Sequence, residues 1–218
     1  MINKIEKICN HTFKDKSIIK QAFIHSSYAN EHKTVSNERL EFLGDAILEF
    51  VVTDELYKNF NLSEGKLTKY RASLVNEETL SFVISELKLE QYLLRGKGES
   101  KFEVTKSEMC DLFESIVGAL YLDGGLSAAK QFILSNLKTA IDGLKKDGLL
   151  ENSKTMLQEM LPKDKIKYST TKHGEDHNPT YKSTVIINGV NMGFGEGPNK
   201  KTAELLAAKN TINMIKKA

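Results

Sequence analysis

Apolar residues recur at helical spacing over residues 18–23, 40–56, 67–75, 80–87, 109–122 and 128–144. The breaks between them, at 31–36, 61–65, 95–107 and 123–126, are polar or glycine-bearing. All three prolines, Pro162, Pro179 and Pro198, lie in the last third, which leaves the earlier part free to form long helices. The pattern changes near 147–153. A short helix over 154–161 stops before Pro162, and alternation then takes over, with Ile166 and Tyr168 in one run and Tyr181, Val185 and Ile187 in the next. Asn188-Gly189 tolerates the positive φ of a type I′ turn and predicts a two-residue hairpin. A third strand, about 190–195, leads through Gly197-Pro198-Asn199 into a helix over 200–217. The expectation is an all-α domain over 1–147, a linker over 148–153, and a small α+β domain of order αβββα over 154–218 with both helices on one face of its sheet.

The helix beginning near residue 38 carries unusual chemistry. Glu38, Glu41 and Asp45 fall on one narrow stripe, while Leu40, Phe42, Leu43, Ile47, Leu48 and Phe50 cover nearly all the remaining circumference. A helix apolar almost all round is expected to be buried. Burying carboxylates with it is costly unless something cationic meets them. No lysine shares the stripe, and Arg39 projects elsewhere. The helix over 108–122 repeats this logic: Asp111 and Glu114 are i, i+3 neighbours, and Met109, Leu112, Phe113, Ile116, Val117 and Leu120 cover most of the rest. If the two helices cross, Glu41, Asp45, Asp111 and Glu114 converge. Two unit charges about 4 Å apart repel by roughly 4 kcal/mol at an effective dielectric of about 20. Four such groups would take up protons in part unless they bind cations. All-oxygen ligation favours Mg²⁺, with Mn²⁺ as substitute, over zinc. Such a site hydrolyses phosphodiesters by activating water and steadying the leaving oxygen.

Composition narrows the setting. With 28% charged and 40% hydrophobic residues the chain reads as a globular protein rather than a disordered or membrane one. Its net charge of +2 is unevenly spread, about −2 over the first 150 residues and +4 over 151–218. An acidic body beside a basic module fits a catalytic domain joined to one that grips a polyanion. Cys9 and Cys110 match no ligand spacing and are expected to be free thiols. The opening MINKIEKICN is charged throughout and lacks an apolar export segment, so a cytoplasmic location is expected. His25 beside Ser26 reads as structural, Cys110 as a buried packing residue, and Glu108 as solvated. The glycines at 193, 195 and 197 fail the spacing of a dinucleotide fingerprint.

At these residues the chain resembles the ribonuclease III family. NERLEFLGDAIL (37–48) is similar to the family signature, and DLFESIVGALYLDGG (111–125) resembles its second motif. KLTKYRASLVN (66–76) and TFKDKSIIKQAFIHSSYANE (12–31) resemble the helix between them and the opening segment. The resemblance implies an endonuclease domain with Glu41, Asp45, Asp111 and Glu114 as Mg²⁺ ligands, and Glu38 and Glu64 as supporting acids. It further implies a homodimer that cuts both strands of an RNA duplex, leaving 5′-phosphate, 3′-hydroxyl and short 3′ overhangs, in processing of ribosomal precursor or messenger RNA.

The C-terminal unit resembles a double-stranded-RNA-binding domain through KTMLQE (154–159), GEDHNPTY (174–181) and GPNKKTAELLAA (197–208). It departs from that pattern in Tyr181, where Phe is usual, and in the added Asn178-Pro179. The resemblance places Thr155, Gln158 and Glu159 at one minor groove and His177 at the next. Asn199, Lys200 and Lys201 would meet phosphates at a helix N-terminus. Two rivals remain: the same fold binding double-stranded RNA without cutting it, and an all-α nucleotide pyrophosphohydrolase, which would have no use for the C-terminal module.

Overall fold

The computed structural model describes residues 1–174 and 179–217. The chain divides into two compact units, Met1–Asp142 and Gly143–Ala218.

The first unit is helical: α1 (Ile2–Cys9), α2 (Lys16–Ala22), α3 (Ser26–His32), α4 (Glu38–Asn59), α5 (Glu64–Leu74) and α6 (Glu77–Leu87), then the start of α7 (Lys106–Glu151). Local chemistry sets several ends. Asp15 accepts from Ser17 N at 2.8 Å to start α2, and Asn76 accepts from Thr79 N at 2.9 Å to start α6. Lys33 and Lys88 close α3 and α6 in the left-handed region. Glu38 and Glu41 lie in the first turn of α4, where carboxylates suit the free N–H groups. The expected break at 123–126 is a bend in α7 at Gly125, whose φ of 71° and ψ of −173° are not helical. α7 continues to Glu151, so much of the stretch expected as a linker carries helical backbone. The core joins Phe23, Leu48, Leu56, Leu80, Ile84, Leu112, Phe113, Ile116 and Phe132, all buried. The Phe113 and Phe132 rings pack 5.3 Å apart.

One expectation fails on α4. The helix is not buried all round: Leu40, Leu48, Val51, Val52 and Leu56 face the core, but Phe42 is 82% exposed and Phe50 56%. An apolar circumference therefore marks one face for the core and leaves a second uncovered in the single chain.

The second unit has α8 (Ser153–Met160), β1 (Ile166–His173), β2 (Thr180–Ile187), β3 (Val190–Gly197) and α9 (Lys200–Ile215). The strands pair antiparallel in the order β1-β2-β3, with Tyr168 opposite Val185 and Ile187 opposite Val190. Asn188 and Gly189 take φ of 52° and 89°, as the type I′ turn requires. Gly193, Gly195 and Gly197 are the buried positions of β3. A Cβ on Gly195 would stand 2.3 Å from Ala207 N, so glycine lets α9 lie directly on the strand. Leu157, Val185, Ala207, Ala208 and Ile212 form the core beneath. Among the described residues, no helix is long and apolar enough to cross a membrane.

Candidate active site

Two glycines bring the acid-bearing helices together. A Cβ on Gly44 of α4 would lie 1.8 Å from the backbone oxygen of Glu114, and one on Gly118 of α7 would lie 2.2 Å from that of Leu40. Neither helix can approach this closely with any other residue. A mid-helix glycine costs roughly 1 kcal/mol in intrinsic helix preference, and here the close approach explains it. Sequence reasoning missed both residues, although glycine inside an apolar helical stripe was the available signal.

At that crossing Glu41, Asp111 and Glu114 each place a carboxylate oxygen within 4.8 Å of the others. Asp45, the fourth expected ligand, is exposed and lies outside this tight group, but its charge bears on both Glu41 and Glu114. Glu38 is exposed, accepts from Ser36 Oγ at 2.7 Å and adds its charge to Glu41. Glu64 goes elsewhere: it opens α5, accepts from Thr68 Oγ1 at 3.0 Å and lines a hollow with Thr53, Tyr57 and Arg71. The single chain thus unites three of the expected acids, sets Asp45 and Glu38 at their edge, and keeps Glu64 apart.

The electrostatics follow from that crowding. Burial, then Asp45, Asp111 and Glu41, push the Glu114 carboxyl up to about 7. Glu41 is raised by burial first, then by Asp111, Glu38 and Asp45. Asp111 is raised by burial, with Glu108 and Glu77 adding and His25 opposing. Among the described residues no lysine or arginine forms an ion pair with Glu41, Asp45, Asp111 or Glu114. An all-oxygen group without a counter-charge fits a hard divalent cation. Cys110 is not fully buried as expected: it is partly exposed, with Sγ 3.7 Å from Glu114 Oε1. Burial and the neighbouring acids push its thiol up to about 12. It is therefore a neutral neighbour near pH 7 and not a competing thiolate.

On the second unit, Thr155, Gln158 and Glu159 form an exposed stripe on α8. His177 lies outside the described residues. Asn199 caps α9, its Oδ1 accepting from Thr202 N at 2.9 Å. Lys200 and Lys201 are exposed on its first turn, with Lys200 Nζ 4.0 Å from Glu204 Oε1. Lys154 pairs with Glu204 and sits 4.4 Å over the Tyr168 ring.

Residues 15–141 match the ribonuclease-III-like family model, and residues 153–215 match the double-stranded RNA binding motif. The chain belongs to the ribonuclease III family. Ribonuclease 3 of Caldanaerobacter subterraneus subsp. tengcongensis is 40% identical, over 99% of this chain and 98% of its own. Ribonuclease 3 of Enterococcus faecalis is 44% identical over 93% and 92%. The nuclease domain of ribonuclease III from Campylobacter jejuni superposes with a TM-score of 0.60 at 36% identity, covering 64% of this chain and 97% of that one. As a ribonuclease III family member with both modules, the protein is an endoribonuclease for double-stranded RNA. Its helical unit is the nuclease, and its αβββα unit binds the duplex.

Proposed function

We propose that this protein is a Mg²⁺-dependent ribonuclease III, with Mn²⁺ able to substitute, that cuts duplex RNA to leave 5′-phosphate, 3′-hydroxyl and short 3′ overhangs. Ribosomal precursor and messenger RNA in the cytoplasm are its substrates. The observation that carries the reading is the convergence of Glu41, Asp111 and Glu114, with no lysine or arginine paired to them among the described residues. Such a group is tolerable in a fold chiefly as a cation receptor. Glu41, Asp111 and Glu114 would hold the ion, with Asp45 joining from the edge. A bound divalent ion lowers the pKa of water and offsets charge on a leaving oxygen. The carboxylates orient what they hold and, crowded as they are, release protons on taking up a cation. Division of labour falls between the nuclease unit and residues 154–218, where Thr155, Gln158 and Glu159 would face one minor groove and Asn199, Lys200 and Lys201 the phosphates. His177 would enter the next groove, and Glu38 would support the acid site from its edge.

The protein acts as a homodimer in this reading. Exposed Phe42, Val35 and Leu122 surround a hollow of about 680 Å³ that is also lined by Arg39 and Leu43. An apolar face of this kind is covered in a working assembly. The related Campylobacter jejuni domain is described as having a region involved in dimer formation.

The test is a labelled duplex incubated with the protein and Mg²⁺. Cleavage that requires the metal, with the stated ends, is expected. Tight binding without any cleavage would instead make the protein a duplex-binding member of the fold.

A further inference from the structure

A second cluster of ligating groups meets α7 one turn earlier, at Glu108. His25, Glu99 and Glu108 also bring a nitrogen and two carboxylate oxygens within 4.8 Å of one another. Here a cation is already present. Arg95 Nε stands 2.8 Å from Glu108 Oε1, and the two side chains are only 7% and 11% exposed. The contact is an ion pair lacking the straight angle of a hydrogen bond. The other guanidinium nitrogens donate to backbone oxygens: Nη1 to Phe102 at 3.0 Å, and Nη2 to Glu99 at 2.8 Å and more distantly to Glu103 at 3.4 Å. One arginine thus gathers the loop over 99–103 and closes on α7.

Glu108 has a second engagement. Its Oε2 accepts from Thr105 N at 2.7 Å, while Thr105 Oγ1 accepts from Glu108 N at 3.2 Å. This reciprocal pair is a capping box that defines where α7 begins. The loop is tied at its other end as well. Glu99 Oε2 is 3.0 Å from His25 Nδ1, and Ser27 Oγ bonds that nitrogen at 2.9 Å while accepting from Gly96 N at 2.9 Å. The ties run from the start of α3 through the loop to the first turn of α7. Asp111 follows Glu108 by three residues on the same face. Fraying of this first turn would loosen the backbone that leads into Asp111, one turn further on.

We propose that Arg95 is a positioning residue for the acid site: by closing on Glu108 and the 99–103 carbonyls it fixes the first turn of α7, and with it the direction in which Asp111 faces Glu41 and Glu114. This rests on the reading that those three acids hold a divalent ion. Lysine carries the same charge but cannot supply the planar fork that bonds three backbone carbonyls while its Nε faces Glu108. A purely stabilising brace would change melting temperature alone. A positioning brace changes metal affinity, because groups that orient ligands are worth roughly 10–100-fold in binding.

The test uses the full-length protein as wild type, Arg95→Met, Arg95→Lys and Glu108→Gln. Mn²⁺ binding is read by titration calorimetry, and the Mg²⁺ dependence of cleavage is read in parallel. Arg95→Met is expected to weaken Mn²⁺ by about tenfold or more, with cleavage recovering at high Mg²⁺ and duplex binding in EDTA unchanged. Arg95→Lys and Glu108→Gln should shift it in the same direction by less. Combining Arg95→Met with Glu108→Gln should add little to Arg95→Met alone. Should Arg95→Met not fold, the two milder variants carry the comparison. Wild-type Mn²⁺ affinity in the folded variants, whatever their melting temperatures, overturns the proposal. Wild-type protein that binds no Mn²⁺ overturns the metal reading itself, and this proposal with it.

Discussion

Glu114 and Glu204 are both helix-borne carboxylates withdrawn from solvent, one in each unit, and their surroundings are opposite. Glu204, whose side chain is 12% exposed, pairs with Lys154 and accepts from Thr170 Oγ1 at 3.1 Å, with Lys200 Nζ 4.0 Å away. Glu114 meets Glu41, Asp111 and Asp45, and its only hydrogen-bond donor among the described residues is the Cys110 thiol. The first is a solved problem of burial: charge, counter-charge and hydrogen bond lie within one module. The second is left unsolved by the chain itself. Burial alone does not distinguish a working carboxylate from a structural one. Whether a lysine or arginine pairs with it does: among the described residues Glu114 has none, whereas in the His25–Glu99–Glu108 group Arg95 fills the role of counter-ion.

The largest expected effect breaks the comparison on the Glu114 side. Glu114→Gln, or Asp45→Asn at the edge of the group, should lower cleavage by about a thousandfold or more, the scale of losing a transition-state electrostatic group. Duplex binding should be nearly unchanged, because it belongs to the other unit. Gel cleavage and a filter-binding assay on the same preparation check both halves. Retained cleavage would mean that the acid group is not the catalytic centre. Removing 151–218 is the complementary cut: duplex affinity should fall by more than the cleavage rate at saturating RNA. The gap should widen with salt, since phosphate contacts dominate salt dependence. Glu204→Gln comes next in size. It leaves Lys154 without its partner and should cost the C-terminal unit about 1–2 kcal/mol, less than a fully buried pair because Lys154 is partly exposed. Its thermal unfolding should drop while the nuclease chemistry is untouched.

How much of this was legible beforehand depends on the range of the interaction. Glu41 and Asp45, or Asp111 and Glu114, share a face by helical periodicity, so each half of the acid group could be read locally. Asn188-Gly189 likewise announced its turn. What joins the halves could not be read that way. The approach of Gly44 to Glu114, and of Gly118 to Leu40, is a tertiary contact with no local signature beyond two awkward glycines. Periodicity leaves Glu108 on a solvated face because its partner, Arg95, lies across a loop whose path no periodicity describes. The exposure of Phe42 escapes the sequence because an apolar helix does not say which of its faces meets its own core. His177 falls outside the described residues, and Glu64 stands away from the acids within one chain.

The smallest effect sharpens the comparison through pH. The Glu114 carboxyl is raised from 4.5 to about 7 in the folded protein, chiefly by burial and then by its acidic neighbours. A group whose folded value exceeds its unfolded one adds stability in its protonated form. That contribution is complete below about 4.5 and is lost as pH rises through 7. Metal-free protein in EDTA should therefore melt lower at pH 8 than at pH 5.5, by a few degrees. Glu41 and Asp111, raised in the same sense, add to the slope. A divalent ion should reverse it, because the ligands bind as carboxylates and the ion competes with protons for them. Melting curves with Mg²⁺ or Mn²⁺ should separate from the EDTA curve only as pH approaches and passes 7. Glu114→Gln should flatten the metal-free slope and shrink that separation, whereas Glu204→Gln should lower the curves and leave their separation intact. A wild-type protein whose metal-free and metal-loaded curves run parallel from pH 5.5 to 8 would show that the crowded carboxylates never required a cation.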